Sequence, residues 1–440
     1  MKINKVINNI IVIVDSHFST HVPVNPMKIQ VRFDTEEPKY AVPSTELSVP
    51  ASIDPKGLNN LLRGLLEESG TEDPPDFSFI ILNDLLKESL ESFFASRESV
   101  SISEAVFEVR YSSKFSPPSP RSSSNHDDWV SSVSASPDGE LALSACYDGT
   151  VSLWDLEKDE RLLTIPAHGP QPAKSVHLIS LEKETAVFAS SGQDQTLRLY
   201  EYNRTANEIT RVNIGKGHER SVDTLTSSRQ HMASGSFDTL VKLWSPSIQS
   251  EGQEDEADTA AKKRKTSSSI SVAPLLTLAG HKEAVSSLAF ASEDTLLSAS
   301  WDHTIKLWDL SISGMKSELV GNKSFFDISF KDNNVLAASA DRFARIYDAR
   351  SKASSIVSST FTSHSGWVTS VDWCRDRDYF FVSGSHDKVV KMWDSRSFKT
   401  PLYDLSGHSE RVLAVNWANR KFVISGGADN DMKVFLSNIM

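Results

Sequence analysis

The 440-residue sequence contains only two cysteines, Cys146 and Cys374, so it offers neither a disulfide framework nor a cysteine-based zinc site. It also lacks a long apolar run. The longest one near the start, residues 10–14, is far shorter than the roughly 20 residues that span a bilayer. The same run makes a poor signal peptide, because Asn8 and Asn9 interrupt it and no small-x-small cleavage site follows. These absences favour a reducing compartment and argue against secretion and membrane insertion.

Basic residues are also in deficit. Lys and Arg number 46 against 58 Asp and Glu, which gives a net charge of −12. Such a balance argues against broad clamping of a nucleic-acid backbone, although direct contact between RNA and a local basic patch stays open. The sequence is otherwise 39% hydrophobic and 24% charged, which is typical of a folded protein, and its length fits two or three domains.

The sequence does contain an internal repeat. An aspartate is followed six residues later by an aromatic residue seven times, and most copies also carry a serine four residues and a histidine 20 to 26 residues before the aspartate. The repeated residues are, copy by copy, His126, Ser144, Asp148 and Trp154; His168, Ser190, Asp194 and Tyr200; His218, Ser234, Asp238 and Trp244; His281, Ser298, Asp302 and Trp308; Asp341 and Tyr347; His364, Ser383, Asp387 and Trp393; His408, Ser425, Asp429 and Phe435. Between them lie stretches of period two, such as 285–290 and 304–308, which predict strands.

This pattern resembles the WD40 family over about residues 126–437, and seven copies imply a seven-bladed β-propeller formed by residues 126–440. In that family the aspartate lies in a tight turn, and the histidine, serine and tryptophan form a buried hydrogen-bond chain with it. A buried carboxylate needs such partners. The alternative is a hydrolase triad, for example His408, Asp429 and Ser425. Seven near-copies favour the structural role, because every blade needs the same hydrogen bonds.

Two copies depart from the pattern. In the fifth, Asn322 stands where histidine is expected and Ala337 where serine is expected, so we expect this blade to be held mainly by apolar packing. The last copy lacks an outer strand of its own after Phe435. The segment on the N-terminal side of the propeller must therefore close the ring, although Pro117 and Pro120 are poor donors to a strand ladder.

An insertion separates the third and fourth copies. Residues 248–271 carry five acidic residues, then Lys262, Lys263, Arg264 and Lys265, then serines, without apolar periodicity. This composition predicts a disordered loop, and the four basic residues are a candidate nuclear-localisation signal. The alternative is a solvated charge run that balances the acids beside it.

Ahead of the propeller, residues 27–111 predict a second domain. Alternating apolar residues from Ile29 to Phe33 predict a strand with a hairpin partner around 40–42, and leucines at helical spacing follow Asp54, a plausible N-cap. Strands around 77–81 and 107–111 complete an α+β pattern that resembles the ubiquitin-like β-grasp fold. Residues 112–125, rich in proline and serine, predict a stiff linker, and residues 1–26 predict a disordered extension.

Few residues outside the repeat pattern suggest chemistry or binding. Trp129, Trp301 and Trp367 lie near predicted turns and are candidates for partner contacts, although core packing is the simpler interpretation. Cys146 and Cys374 lie in or beside strands, which favours small core residues over nucleophiles. We find no Gly-rich phosphate loop and no metal-binding motif, so the sequence predicts no catalytic residue and no cofactor.

The domain order, together with the stretch His126-Asp-Asp-Trp-Val-Ser-Ser132 that opens the ring, resembles the WD-repeat ribosome biogenesis family whose members join Pescadillo and the block-of-proliferation protein in the PeBoW complex. The resemblance implies a non-enzymatic scaffold of the nucleolus and nucleoplasm, required for maturation of large-subunit rRNA and of the pre-60S particle. It implies that the propeller binds the block-of-proliferation protein. Notchless, a large-subunit assembly factor with the same domain order but an additional blade, is the nearest alternative.

The resemblance further implies that the ubiquitin-like domain is engaged by midasin, an AAA ATPase whose metal site takes an acidic ligand in trans. In the family this ligand lies in a Ser-Glu-Ala stretch before the last strand of the domain, which places it at Glu104 here. Glu108 is the competing candidate, but its alternation with apolar neighbours predicts a strand position. A ubiquitin-pathway adaptor is the alternative of another class. Conjugation of a ubiquitin-like domain requires a C-terminal Gly-Gly. No Gly-Gly follows Tyr111 here, so the sequence argues against conjugation of this domain to other proteins.

Overall fold

A computed structural model describes residues 27–97, 105–248, 270–350, 357–417 and 419–437. The chain divides into two units, the first up to residue 116 together with 396–400, and the second from 117 to 395 and from 401 onward. No helix in these described ranges is long and apolar enough to cross a membrane. The predicted extension, residues 1–26, lies outside the described residues.

The first unit contains a mixed five-stranded sheet. Its elements are β1 (Lys28–Asp34), a 3-10 turn (Pro38–Tyr40), β2 (Glu46–Pro50), α1 (Pro55–Glu68), β3 (Phe77–Ile81), β4 (Asp84–Leu85), α2 (Leu90–Ala95) and β5 (Val106–Ser113). The sheet order is β2-β1-β5-β3-β4, with β1 and β5 parallel at its centre. A long helix that crosses between the first and second pairs of strands gives a β-grasp domain, as the sequence predicted.

Local sequence explains the helix that covers this sheet. Asp54 caps α1, since its carboxylate accepts a hydrogen bond of 2.8 Å from the Gly57 amide, and Pro55 takes the first helical position, where no amide donor is needed. Four leucines on one face of α1 are buried against the sheet, together with apolar residues of β1 and β5. The sequence therefore dictates both the start of the helix and the face that it buries.

The predicted hairpin partner around residues 40–42 is wrong. Residues 38–40 form the 3-10 turn, and β2 pairs with β1 four residues later than expected. The reason is that Pro38 and Pro43 cannot donate to a ladder, whereas Leu47 and Val49 alternate and can bury one face.

The second unit is a ring of seven sheets. Its strands are β6 (Ser119–Asn125), β7 (Val130–Ala135), β8 (Leu141–Cys146), β9 (Val151–Asp155), β10 (Glu160–Ile165), β11 (Ala173–Leu181), β12 (Thr185–Gly192), β13 (Leu197–Asn203), β14 (Glu208–Gly215), β15 (Val222–Ser227), β16 (Met232–Ser236), β17 (Leu240–Trp244), β18 (Ile270–Val272), β19 (Leu276–Ala279), β20 (Val285–Ser292), β21 (Thr295–Ser300), β22 (Thr304–Asp309), β23 (Gly314–Val320), β24 (Phe325–Lys331), β25 (Asn334–Ser339), β26 (Ala344–Asp348), β27 (Val357–Phe361), β28 (Val368–Trp373), β29 (Phe380–Ser385), β30 (Val390–Asp394), β31 (Tyr403–Leu405), β32 (Val412–Asn416), β33 (Phe422–Gly427) and β34 (Asp431–Leu436). Each sheet is an antiparallel meander of four strands, with one strand added in the second. The predicted seven-bladed propeller is confirmed.

Burial follows position within each blade. The second strand is fully buried in most blades, for example β8, β16 and β29, because neighbouring blades cover both of its faces. The first strand of each blade lines a central channel, and the outermost strand is the most exposed. Cys146 and Cys374 are both buried.

The last blade is closed by a strand from the N-terminal side of the ring, as its missing outer strand required. Strand β6 pairs antiparallel with β34, so the first and last segments of the propeller share one sheet. The predicted linker over residues 112–125 is therefore wrong beyond residue 118, and it is also wrong at residues 112 and 113, which belong to β5. Pro120 is accommodated because it lies at a break in the register, opposite Phe435, where ladder hydrogen bonds are already interrupted.

The charged insertion returns to the propeller through an added strand. Strand β18 runs parallel to β14 and forms the fifth strand of the second blade before the chain continues into the third blade as β19. The predicted disordered loop, residues 248–271, is therefore wrong at Ile270 and Ser271. Residues 249–269, which include Lys262 to Lys265, lie outside the described residues.

Candidate functional site

The repeated histidine, serine and aspartate meet in five of the seven blades, and in three of these the tryptophan joins them. In the sixth blade, Trp393 Nε1 lies 2.8 Å from Ser383 Oγ, which lies 2.7 Å from His364 Nε2, and His364 Nδ1 lies 2.8 Å from the Asp387 carboxylate. The third and fourth blades contain the same chain of contacts, in His218, Ser234, Asp238 and Trp244 and in His281, Ser298, Asp302 and Trp308. The second and seventh blades keep His168, Ser190 and Asp194 and His408, Ser425 and Asp429, with Tyr200 and Phe435 in the tryptophan position.

The direction of this chain follows from what each group can donate. An ionised aspartate only accepts, so the histidine Nδ1 carries the proton, its Nε2 accepts from the serine hydroxyl, and the serine oxygen accepts from the indole N–H. Every polar side-chain atom in this series of hydrogen bonds thereby has a partner, and the imidazole does not need to be charged. The serine hydroxyl and the tryptophan are both buried within the blade, so solvent does not reach the serine oxygen.

The carboxylates of these chains are strongly stabilised in the ionised form. Burial alone would raise the pKa of Asp387, but hydrogen bonds from His364 and from the Ser365 amide outweigh it and lower the pKa to about 2. The pKa of Asp238 is likewise lowered to about 2 by His218 and the Glu219 amide, against the opposing effect of burial. Because the pKa of each of these aspartates is lower in the folded state than in the unfolded state, their ionisation stabilises the folded protein.

We expect acid to unfold the propeller below about pH 4. A carboxyl whose folded pKa is lowered contributes stability that is present above its unfolded pKa of 3.8 and is lost as pH falls toward the folded value. Each such carboxyl should contribute about 1 kcal/mol, since these sites keep some contact with solvent. Urea unfolding curves between pH 7 and pH 2 measure the effect. Asp387→Asn should be less stable at pH 7 and lose less stability on acidification, whereas an unchanged pH slope would contradict the assignment.

The first blade differs from this pattern. His126 Nε2 contacts Ser144, and Ser144 accepts from Trp154, but His126 Nδ1 lies 3.2 Å from the Ser124 carbonyl instead of reaching Asp148. The predicted contact between His126 and Asp148 is therefore wrong. Because β6 runs directly into His126, a backbone acceptor is already at hand, and Asp148 caps its own turn through Thr150.

The sequence predicted that the fifth blade is held mainly by apolar packing, but the structure also shows a polar cluster there. The Arg345 guanidinium lies 2.9 Å from both the Asp341 carboxylate and Ser339 Oγ, and a second nitrogen also contacts Asp341. Arginine four residues after the aspartate thus takes the place of the missing histidine. The burial of Asp341 opposes the effect of Arg345, yet the pKa of this carboxyl is lowered.

A polar channel of about 820 Å³ runs between the innermost strands, and its wall holds two aspartates that sequence reasoning missed. Asp327 accepts hydrogen bonds of 2.7 Å from Ser287 and from Ser370, so it joins three consecutive blades. Asp372 accepts from Ser329 and Asn416. Burial raises the pKa of Asp327 to about 6 and raises that of Asp372. The sequence did contain a signal for both residues, because each is an acidic residue on the first strand of its blade, the strand that lines the channel.

The three tryptophans near predicted turns lie on one face of the ring. Trp129 is 40% exposed, Trp301 36% and Trp367 49%. Each packs against a neighbouring ring: Trp129 against Tyr147, Trp301 against Phe237, and Trp367 against Phe326 and His386. These side chains are therefore ordered by aromatic contacts while part of each ring faces solvent.

The predicted metal ligand Glu104 lies outside the described residues. Ala105, which follows it, packs against the core of the N-terminal domain, and β5 begins one residue later. Glu108 lies on β5, as predicted, with its carboxylate 2.8 Å from Arg110 and 3.9 Å from Arg32. Within the described ranges, no group of three or more His, Cys, Asp and Glu side chains could hold a metal ion.

Comparison with known families matches both parts of the chain. A family model described as the NLE (NUC135) domain matches residues 29–94. A model described as the WD domain, G-beta repeat, matches residues 119–155, 210–245, 272–309, 356–394 and 399–435. The two blades outside these matches are the second and the fifth, in which Tyr200 replaces tryptophan and Arg345 replaces the histidine contact.

Relatives of similar length align across both domains. The protein named ribosome biogenesis protein WDR12 homolog from Aedes aegypti is 41% identical over 418 residues, which cover 94% of this chain and 96% of the relative. Its namesake from Culex quinquefasciatus is 41% identical over 423 residues, with 94% and 96% coverage. That from Ixodes scapularis is 40% identical over 422 residues, with 93% and 98% coverage. This chain therefore belongs to the family of WDR12-homologous ribosome biogenesis proteins.

Proposed function

We propose that this protein is a non-enzymatic scaffold subunit of a pre-60S assembly complex in the nucleolus and nucleoplasm. Its propeller would bind the block-of-proliferation protein and so hold Pescadillo in the same complex, and the complex would be required for maturation of large-subunit rRNA. The observation that carries the proposal is the 41% identity to a ribosome biogenesis protein over 94% of the chain, which spans both domains. The repeated polar residues support the scaffold role, because their hydrogen bonds connect the strands of each blade and so stabilise the propeller.

Tagged protein purified from cells, combined with depletion, tests this role. Co-purification of Pescadillo-type and block-of-proliferation-type proteins, with accumulation of large-subunit rRNA precursors after depletion, is the expected result. A ubiquitin ligase or proteasome subunits among the partners, with normal rRNA, would instead favour the ubiquitin-pathway adaptor. Large-subunit precursors without these two partners would favour a Notchless-like assembly factor.

The N-terminal domain is proposed as the handle that midasin engages. Glu104 would supply a carboxylate oxygen to the metal ion of midasin, since hard divalent cations take oxygen ligands. ATP-driven pulling on this domain would then release the complex from the pre-60S particle. The capped helix and buried core described above support a handle that transmits force without unfolding locally.

We expect Glu104→Ala to abolish binding of the purified chain to the metal-site domain of midasin. Glu108→Ala is the matched control, because Glu108 lies on β5 and already contacts Arg110 and Arg32. Both variants should keep the wild-type unfolding midpoint. Binding by a folded Glu104→Ala protein at wild-type affinity would contradict the assignment, and loss of binding in Glu108→Ala would move the ligand to the strand.

Lys262, Lys263, Arg264 and Lys265 are proposed as a nuclear import signal. The described strands β17 and β18 flank, along the sequence, the segment that carries them. Fluorescently tagged protein with all four residues changed to alanine should accumulate in the cytoplasm, and nuclear accumulation equal to wild type would contradict the proposal.

A further inference from the structure

Side-chain hydrogen bonds link the innermost strands of neighbouring blades around the channel, and we call these links the inner belt. In several blades a serine of the innermost strand accepts a hydrogen bond from an amide of the next blade. Ser370 Oγ, for example, lies 3.1 Å from the Val415 amide. The same arrangement joins blades one and two and blades four and five, through the pairs Ser132 and Val176, and Ser287 and Ile328.

The inner belt continues from blade four to blade one through longer side chains. Asp327 and Asp372, described above, together connect blades four to seven. Asp372 also accepts a hydrogen bond of 2.8 Å from the Trp417 amide of blade seven. Asn416 passes the belt to the next blade, since its side-chain oxygen accepts a hydrogen bond of 3.0 Å from the Ala135 amide of blade one.

Blades two and three are connected in two ways. At the channel, His177 Nε2 lies 3.0 Å from Ser227 Oγ. At the outer edge, strand β18 belongs to the sheet of blade two and continues along the chain into β19 of blade three. The belt therefore extends from blade four, through blades five, six, seven, one and two, as far as blade three.

The inner belt is broken between blades three and four. In blades one, four and six, the second residue of the innermost strand is a hydroxyl residue that donates to a carbonyl of the next blade. In blade three this residue is Asp223, whose ionised carboxylate has no proton to donate and instead accepts from Ser221 at 2.5 Å. Thr224 and Thr226 take the positions from which other blades accept amides. Over the ranges that the structure describes, no hydrogen bond joins β15 to β20.

Apolar packing holds blades three and four together instead. Val285 and Leu288 of blade four share one buried cluster with residues of β17 and β19. The two blades approach so closely that a Cβ added at Gly235 would lie 2.6 Å from Val285 Cγ1. A polar contact lies at an outer turn, where Glu293 accepts a hydrogen bond of 3.2 Å from the Gln230 amide. Because apolar contacts are not directional, no hydrogen bond at the channel has to break when these two blades move apart.

We propose that the ring opens first between blades three and four, because the inner belt is broken there. Folded proteins open in cooperative parts before they unfold completely, and the least stable parts open most often. Pairing between β6 and β34 keeps the ring closed at blade seven, so one opening at this boundary converts the closed ring into an open array of blades. Opening would expose Val285 and Leu288 to water. It is a property of the chain itself and does not depend on the proposed function.

Hydrogen–deuterium exchange of the full-length chain, followed by mass spectrometry, tests this opening. The amides of β16 and β21 pair within their own blades, so fast exchange there reports on opening and not on a missing bond to the next blade. After correction for intrinsic rates, we expect β16 and β21 to exchange at least about tenfold faster than the equivalent strands β8 and β29. Equal rates in the four strands, or faster exchange in β8 and β29, would overturn the proposal.

Thr226→Asn should repair the belt at this boundary. Thr226 occupies in blade three the position of Asn416 in blade seven, so the new side-chain oxygen should accept from the Phe290 amide as Asn416 accepts from Ala135. We expect exchange in β16 and β21 to slow at least about threefold, the effect of one added hydrogen bond. Thr226→Val keeps the shape of the side chain without its hydroxyl and is the matched control, with no expected change.

Asn416→Thr is the reciprocal variant, since it removes the link between blades seven and one. Exchange in β8 and β33 should become at least about threefold faster, while β16 and β21 keep their wild-type rates. This variant keeps the test decisive if Thr226→Asn fails to fold, because unchanged exchange in β8 and β33 would contradict the role of the belt. A folded Thr226→Asn protein that exchanges like the wild type, or faster exchange in Thr226→Val, would also overturn the inference.

Discussion

Trp393→Ala should lower the free energy of unfolding by about 3–5 kcal/mol, because it empties a large site in the sixth blade that cannot collapse. The Trp393 ring is completely buried, with centroids 5.3 Å from Phe361 and 5.9 Å from Phe381. Its indole N–H also donates to Ser383, which would lose that donor. Urea unfolding of the full chain, followed by circular dichroism, measures the change.

Trp367→Ala provides the internal control, since the same residue type in the same blade is half-exposed. We expect its effect on stability to be less than about 1 kcal/mol. Trp393→Phe should cost about 1–2 kcal/mol, because packing is largely kept and Ser383 still contacts His364. Equal losses for Trp393→Ala and Trp367→Ala would show that the buried chain does not hold the blade.

The double substitution Ser123→Pro/Ser124→Pro should destabilise the propeller by about 3 kcal/mol or more and promote self-association. Alternate residues of an antiparallel strand donate to the neighbour, so two successive prolines remove at least one donor from the ladder between β6 and β34. Strand β34 would then become an exposed edge that can pair with another chain. Unfolding curves and size-exclusion chromatography measure both effects.

Ser119→Pro is the matched control for this prediction. Residue 119 is the first of β6, a position where proline is tolerated, and it pairs with Leu436 beyond the break in register. We expect its stability and elution volume to equal those of the wild type. A monomeric, fully stable Ser123→Pro/Ser124→Pro protein would contradict the role of β6 in closing the ring.

The repeat spacing predicted the number of blades because the hydrogen-bond chain fixes the distance between residue types. His364, Ser383 and Asp387 must stand at set places on adjacent strands to meet, and the spacing exposes that requirement in the sequence. The same logic predicted the capped helix after Asp54. Where geometry constrains residue identity, the sequence records it.

The sequence predicted that a segment on the N-terminal side closes the ring, but not which residues do so, because those residues carry no apolar alternation. Residues 119–125 are mostly serine and largely exposed, so their pattern is that of a linker. They form a strand because the backbone of β34 would otherwise lack hydrogen-bond partners. The cause therefore lies in the last blade and not in the sequence of residues 119–125. The sequence did not predict the parallel strand β18 either. This strand is only three residues long, which is too short to show a pattern of alternation.

The polar contacts that differ between blades were also beyond the pattern. Arg345 satisfies Asp341 from four residues downstream, and the Ser124 carbonyl takes the contact of His126 that Asp148 would otherwise make. Both depend on which acceptor lies nearest after folding. The repeat pattern describes only what the blades share, so it does not predict contacts that occur in a single blade.

Pairing between β6 and β34 also sets the order in which the protein can be completed during synthesis. Ser122 and Val434 are partners in that sheet, so about 300 residues must be translated between them. At roughly 5–20 residues per second, the ribosome takes about 15–60 s over that interval. The N-terminal domain can fold within it, but β6 has no partner strand until β34 has been translated. The nascent chain thus carries an unpaired polar strand throughout that interval, so ring closure is a late step in the folding of the propeller.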